Sequence, residues 1–285
     1  MPRQAGSCRS FQTSGRALDL VETDAVLWQF NEVALLLAFL AGFLGATEVG
    51  FRLGMRYVDQ GNDSAKAHVS SLHAAVLGLL ALLLGFTFLM AASRFDARKS
   101  LVIEEANAIG TTFLRAHLLP PEHQRPAKEF LRAHLSARLA FYAAGIDPAR
   151  LERANSEAAR IERQLWALAL DAAAQDPRSV PTGLFVESLN AMIDLHEKSQ
   201  VALENHVPEA VLYLLLVVSV VSFVLLGYGC GLTQRRRLAL NVVFALLIGF
   251  VLTAILDIDR PRRGLITVPR ESLIRLQATL ERDAK

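Results

Sequence analysis

The sequence predicts an all-α membrane protein, with four transmembrane helices and a helical cytoplasmic bundle between the second and third. Two observations carry this. The apolar residues come in long blocks rather than periodic stripes, and the polar stretch between blocks two and three is rich in Ala, Leu, Glu and Arg with no alternating β pattern. A spanning helix needs roughly 20 mainly apolar residues, because the hydrocarbon core is about 30 Å thick. The first block is built on residues 33–47, between Glu32 and Glu48, with apolar surroundings from Val26 to Phe51. The second covers 67–93 and the third 210–234, neither with a Lys, Arg, Asp or Glu. The fourth is 238–256, flanked by Arg237 and Asp257. Four such blocks in 285 residues are hard to reconcile with buried helices of a soluble protein.

The expected organisation follows. Residues 1–25 read as a mobile polar tail without the apolar core of a signal peptide. Residues 26–93 hold spans one and two, 94–206 the helical cytoplasmic segment and 207–258 spans three and four. Residues 259–285 form a cytoplasmic tail with an amphipathic helix over 270–284, its apolar side made of Leu273, Ile274, Leu276 and Leu280. Four spans put both termini and the long segment on one side. Positive charge is divided between the faces. Arg94, Arg98, Lys99, Arg260, Arg262, Arg263 and Arg270 outnumber Arg52, Arg56, Lys66 and the run Arg235-Arg236-Arg237. The first set places both termini in the cytoplasm and the chain in a bacterial inner membrane.

Within the long segment, Pro120-Pro121 ends a helix that continues out of span two. A second helix is expected over 125–144. Gly145, Asp147 and Pro148 then supply a C-cap, an N-cap and a first-turn proline for a third over 149–174. That helix spaces Leu151, Ala154, Ala158, Ile161, Leu165 and Leu168 as one apolar stripe. Breakers over 175–183 precede a fourth helix from near Leu184 almost to Pro208.

Composition and motifs exclude several functions. A net charge of +2 and no basic face argue against nucleic acid. Cys8 and Cys230 make neither a disulfide framework nor a metal pair. The seven histidines form no HExxH and no Cys/His cluster, so solvated or capping roles are expected, with no metal and no cofactor. There is no phosphate-binding loop, no nucleophile elbow and no paired acid within the spans, so no enzyme is predicted. Gly227-Tyr228-Gly229 has the composition of a potassium filter, but no room for a pore helix. Glycines at a helix terminus are the reading retained. Glu48 is either an intramembrane functional acid or an interfacial partner of Arg52, four residues on.

Two charged constellations stand out. One is Arg94, Asp96 and Arg98, followed by Glu104, Glu105 and Asn107 on the helix leaving span two. The other is Asp257-Ile258-Asp259-Arg260-Pro261-Arg262-Arg263-Gly264, directly after span four. The two lie on the same membrane face. Arg94 and Arg98 are therefore expected at the depth of Asp257 and Asp259, with Arg260 and Arg262 folding back toward Glu104 or Glu105.

These residues carry a resemblance. Leu84-Gly85-Phe86-Thr87-Phe88, Arg94 to Arg98, Glu105-Ala106-Asn107-Ala108-Ile109, Leu118-Leu119-Pro120, His206-Val207-Pro208 and the segment from Asp257 to Gly264 resemble the bacterial bestrophin-like membrane family over most of the chain from span two onward. In layout the chain is similar, more distantly, to the bestrophins. That resemblance implies a pentameric homo-oligomer in membrane lipid that passes inorganic anions, with four spans per subunit and an apolar neck contributed by span two. Nothing matches the acidic calcium clasp of animal bestrophins. The neck would fall on Gly78, Leu82 and Phe86, four residues apart on one helical face. Packing of Leu82 and Phe86 against other spans is the alternative. A membrane-anchored interaction or signalling scaffold is the rival function.

Overall fold

The computed structural model describes residues 31–57 and 63–283, so the expected N-terminal tail lies outside the described residues. It is all-α, and no strand occurs among the described residues. The helices are α1 (Glu32–Arg56), α2 (Asp63–Arg115, followed by a 3₁₀ turn Ala116–Leu118), α3 (Pro121–Ala143), α4 (Pro148–Gln175), α5 (Val180–Glu204), α6 (Glu209–Leu232), α7 (Leu238–Asp259) and α8 (Glu271–Arg282). Four helical stretches are long and apolar enough to cross a membrane, and they hold α1, the first part of α2, α6 and α7. α2 does not stop at the end of its apolar block. At 1.5 Å per residue its 53 residues extend about 80 Å, serving both the spans and the bundle.

Local signals explain the other helix ends. Gly145 takes φ +61°, and the Asp147 carboxylate accepts from the amides of Ala149 and Arg150, with Pro148 opening α4. α5 starts at Val180, four residues before the expected Leu184. The Ser179 hydroxyl accepts from Thr182 N–H as an N-cap, and Pro181 sits in the first turn, where its missing N–H costs nothing. In α8, Leu273 and Leu280 are buried and Leu276 lies against the core, but Ile274 points outward and is exposed, contrary to the expected stripe. Position 274 lies about 100° around the helix from 273 and about 160° from 276, on the side away from the three core residues.

α6 and α7 each pack against α1 and α2. Their shared core centres on Phe43, Leu80, Leu84, Leu215, Phe223, Ala245 and Ile255. The bundle is the distal part of α2 with α3, α4, α5 and α8. Its core includes Ile109, Phe113, Leu131, Leu135, Ile161, Leu165, Phe185, Leu189, Met192 and Leu273. The stripe on α4 faces this core with Ala154, Ala158, Ile161 and Leu165 buried and with Ala169 and Ala172 added; Leu151 and Leu168 are half-buried.

The closest helix contact joins α1 and α6. Phe43 stacks on Phe223 with ring centroids 4.5 Å apart. Further along, Gly50 and Gly54 face Gly227 and Gly231. A Cβ at Gly50 would strike the Val224 carbonyl oxygen, one at Gly54 that of Tyr228, one at Gly227 that of Thr47, and one at Gly231 that of Phe51. Small residues spaced by four on both helices let the backbones touch, which favours association where lipid removes the hydrophobic drive. Gly227 therefore belongs to the middle of a packing seam. α6 continues to Leu232, so the reading of this glycine as a helix terminus is corrected.

Replacing Gly227 or Gly54 by Leu is expected to lower the thermal unfolding temperature in detergent strongly, since overpacking alone costs about 1–3 kcal/mol and here the obstacle is backbone. Gly42→Ala, where no atom lies within 4 Å of the added methyl, is the control and should leave it unchanged.

Candidate functional site

The ends of α5 and α7 meet α2 just beyond its apolar block. Helix C-termini leave four carbonyls unsatisfied, and here those at the α7 end are buried and those at the α5 end partly so. Arg98 supplies the donors. Its Nε donates to the Ala202 carbonyl at 3.0 Å, Nη2 to the Asn205 carbonyl at 2.6 Å and Nη1 to the Asp259 carbonyl at 3.1 Å. The Asp259 carboxylate lies 3.6 Å from Nη2, and both side chains are 1% exposed. Burial pushes the Arg98 guanidinium below its usual range, and Asp259 opposes that shift. Asp259 also accepts from Val207 N–H at 2.9 Å, while His206 Nδ1 lies 3.1 Å from the Asp259 carbonyl oxygen. One guanidinium thus ties together α2, the α5–α6 connection and α7.

Asp257 does a different job. Its carboxylate accepts from the amides of Leu265 and Ile266, both at 3.1 Å, and closes the loop after α7. Gly264, at φ +110°, passes so close that a Cβ there would overlap this carboxylate. The sequence placed Arg98 at the level of both acids; its partner is Asp259, because Asp257 is occupied by the loop.

Arg260 and Arg262 do not fold back onto Glu104 or Glu105. Glu105 is already held by Arg138 of α3 in a fully buried, two-pronged ion pair, and the Tyr142 hydroxyl donates to it at 3.0 Å. Burial works to lower Arg138, but the Glu105 carboxylate more than offsets it, and the shift is upward. Burial and the nearby Glu105 charge push the Tyr142 hydroxyl up. Arg262 instead stacks over the Phe141 ring at 4.6 Å, and Arg260 is buried beside the α7 terminus. Glu104 is exposed and accepts from the Ser100 hydroxyl; Asp96 and Asn107 are exposed, and Arg94 is half-buried.

Gly78, Leu82 and Phe86 lie on a different surface. α2 buries Leu80, Leu84, Thr87 and Ala91 against the other spans. Gly78, Leu82 and Phe86 fall on its opposite side, with Leu82 54% and Phe86 60% exposed. No atom approaches the position of a Cβ on Gly78 within 4 Å. Within one chain these residues therefore do not pack against other spans.

Glu48 accepts from Arg52 Nε at 2.9 Å and also meets Arg236, which lies over Phe51. Sequence reasoning also missed a cluster inside the bundle. His134, Glu162 and His196 bring their ligating atoms within 4.8 Å of one another. With His123, which bonds Asp171 at 2.7 Å, these histidines are buried, so solvated or capping roles do not describe them.

A family model, that of the bestrophin-like domain, matches residues 38–273, from within α1 to the first turn of α8. The chain belongs to the bestrophin-like family. Solved structures of a bacterial bestrophin homolog from Klebsiella pneumoniae share its fold. A tryptophan-to-alanine variant of that protein is 16% identical, with a TM-score of 0.63 over 90% of this chain and 97% of that one. A tyrosine-to-alanine variant is 18% identical, with a TM-score of 0.61 over 87% and 97%. No curated protein matches the chain. The bestrophin-like assignment bears out the resemblance carried by the charged segments, and the hub of Arg98 and Asp259 is where two of those segments meet.

Removing Arg98 leaves the buried Asp259 without its cation and the Ala202 and Asn205 carbonyls without their donor. Arg98→Ala is expected to cost about 3–5 kcal/mol, the range for breaking a buried pair. Glu48→Ala, in a partly exposed pair, should cost about 0–1 kcal/mol. Denaturation of the two purified variants against the parent checks the contrast; equal losses would contradict it.

Proposed function

We propose that the chain is one subunit of a homo-oligomeric anion channel of the bacterial inner membrane, with α2 lining the pore. The observation that carries this is the unpartnered apolar stripe of Gly78, Leu82 and Phe86 on a helix whose opposite face is fully engaged. Family membership gives the oligomeric channel as the natural use of such a stripe. A ring of subunits, five in the bestrophins, brings copies of α2 around an axis. Phe86 and Leu82 then form a narrow apolar neck. Such a constriction gates by dewetting and passes weakly held inorganic anions, and it needs no catalytic group. The remaining exposed apolar surface of α6 and α7, with Val217, Val221, Leu247 and Phe250, meets lipid or the neighbouring subunit. The bundle and both termini lie in the cytoplasm, with Arg94, Arg98 and Lys99 near that interface.

Two measurements test the reading. Phe86→Ala should widen the neck and raise chloride flux in liposomes, or change anion selectivity, without altering the mass of the assembly in detergent. Unchanged flux in an active, assembled variant removes this face from the pore, and an assembled parent without flux favours the scaffold reading. For orientation, Cys230 lies near the end of α6 away from the bundle and is partly exposed. With Cys8 replaced by Ser, an impermeant maleimide should reach Cys230 from the periplasmic side. Labelling only from the cytoplasmic side reverses the topology.

A further inference from the structure

The cluster of His134, Glu162 and His196 is built from three helices, α3, α4 and α5. Glu162 Oε1 lies 3.0 Å from His134 Nε2 and 2.6 Å from His196 Nδ1. His134 is fully buried, and the side chains of His196 and Glu162 are 7% and 12% exposed. Two imidazole nitrogens and one carboxylate oxygen thus converge on one point inside the bundle. We infer that these three residues form a binding site for a divalent transition-metal ion of the zinc class, which clamps α3, α4 and α5 together.

The donor set decides the class of ion. Two imidazoles and one carboxylate suit zinc and its neighbours, whereas calcium and magnesium take oxygen ligands. Zinc sits about 2.0–2.2 Å from such atoms, which separates tetrahedral ligands by roughly 3.3 Å. The Glu162 oxygen must therefore draw back by about 0.3 Å from His134 and about 0.7 Å from His196, and the two imidazole nitrogens, within 4.8 Å of each other, must settle at a similar separation, leaving a fourth position for water. His196 has a ready outer partner. Its Nε2 is 2.5 Å from the Gln200 amide, which in turn reaches Asn155 at 3.0 Å. The amide's O and N are assigned by the network and not by their positions. With both amides turned over, the Gln200 carbonyl accepts from the Asn155 amide and from His196 Nε2–H, and the Nδ1 lone pair is left facing the Glu162 oxygen. Two acceptors then face each other, and a cation between them resolves the conflict. His134 has no such support: its Nδ1 is buried without a hydrogen-bond partner among the described residues. It is the weaker of the two imidazole ligands.

The test uses the full chain, free of affinity tag, purified in detergent and stripped with chelator. Cobalt(II) is added first, because its ligand-field bands report low coordination by imidazole, and zinc is then titrated against it. About one ion per chain is expected, with cobalt bands that zinc abolishes and an unfolding temperature that rises with zinc concentration. His196→Gln and Glu162→Gln should abolish the bands. Gln200→Leu keeps all three ligands and should weaken binding about 10–100-fold. A His68→Gln, His73→Gln double variant should bind as the parent does. Absence of cobalt bands in the parent overturns the proposal even if every variant misfolds. So does binding that survives in His196→Gln, or that disappears in the His68, His73 variant. None of these readouts involves ion flux, so the outcome is independent of the channel reading.

Discussion

A single guanidinium, that of Arg98, holds the junction on which the rest of the molecule depends. Two helices, α5 and α7, end side by side against α2, each with carbonyls that its own helix leaves without donors. An arginine offers five donors in a rigid fork and stays charged under all ordinary conditions. Placed on α2, it satisfies both helix ends from a third element and sits at the negative end of two helix dipoles. Asp259 balances the charge. The consequence is geometric: the long α2 helix is pinned where the spans become the bundle, so its rotation is set on both sides of that point.

That rotation decides which residues of α2 are engaged. With Leu80, Leu84 and Thr87 turned inward against the other spans, Leu82 and Phe86 must face away. The glycine seam of α1 and α6 works toward the same end. Direct backbone contact along Gly50, Gly54, Gly227 and Gly231 makes a compact pair, against which α2 leans with one face only. Leu82 and Phe86 are thus left open on the side of α2 opposite its packed face.

The bundle is held by a different economy of charge. Glu105, Arg138 and Tyr142 satisfy one another in its interior, and Glu162 is shared by two imidazoles. Buried charges of this kind contribute little net stability compared with apolar replacements, but removing one partner is costly. They join α2 to α3 and link α3, α4 and α5 through defined side-chain partners.

By itself the sequence determined the number of spans, the helical character of the intervening segment and the family, because these rest on block length, on local caps such as Asp147 with Pro148, and on contiguous motifs. It also marked Arg98, Asp257 and Asp259 as unusual, since acids have no place in a plain basic anchor. Tertiary structure decided the pairings. Asp257 and Asp259 are two residues apart and chemically identical; only the course of the loop through Gly264 assigns one to backbone amides and the other to Arg98. Glu105 looked available to Arg262 until the fold set Arg138 beside it. The glycines spaced by four on α1 and α6 were visible in the chain, but neither names its partner. His134, Glu162 and His196 lie 28 and 34 residues apart, in separate helices. Local periodicity fixes which side of a helix is apolar; it carries no information on how three helices are rotated and shifted against one another, and that relative placement alone brings the three side chains to one point.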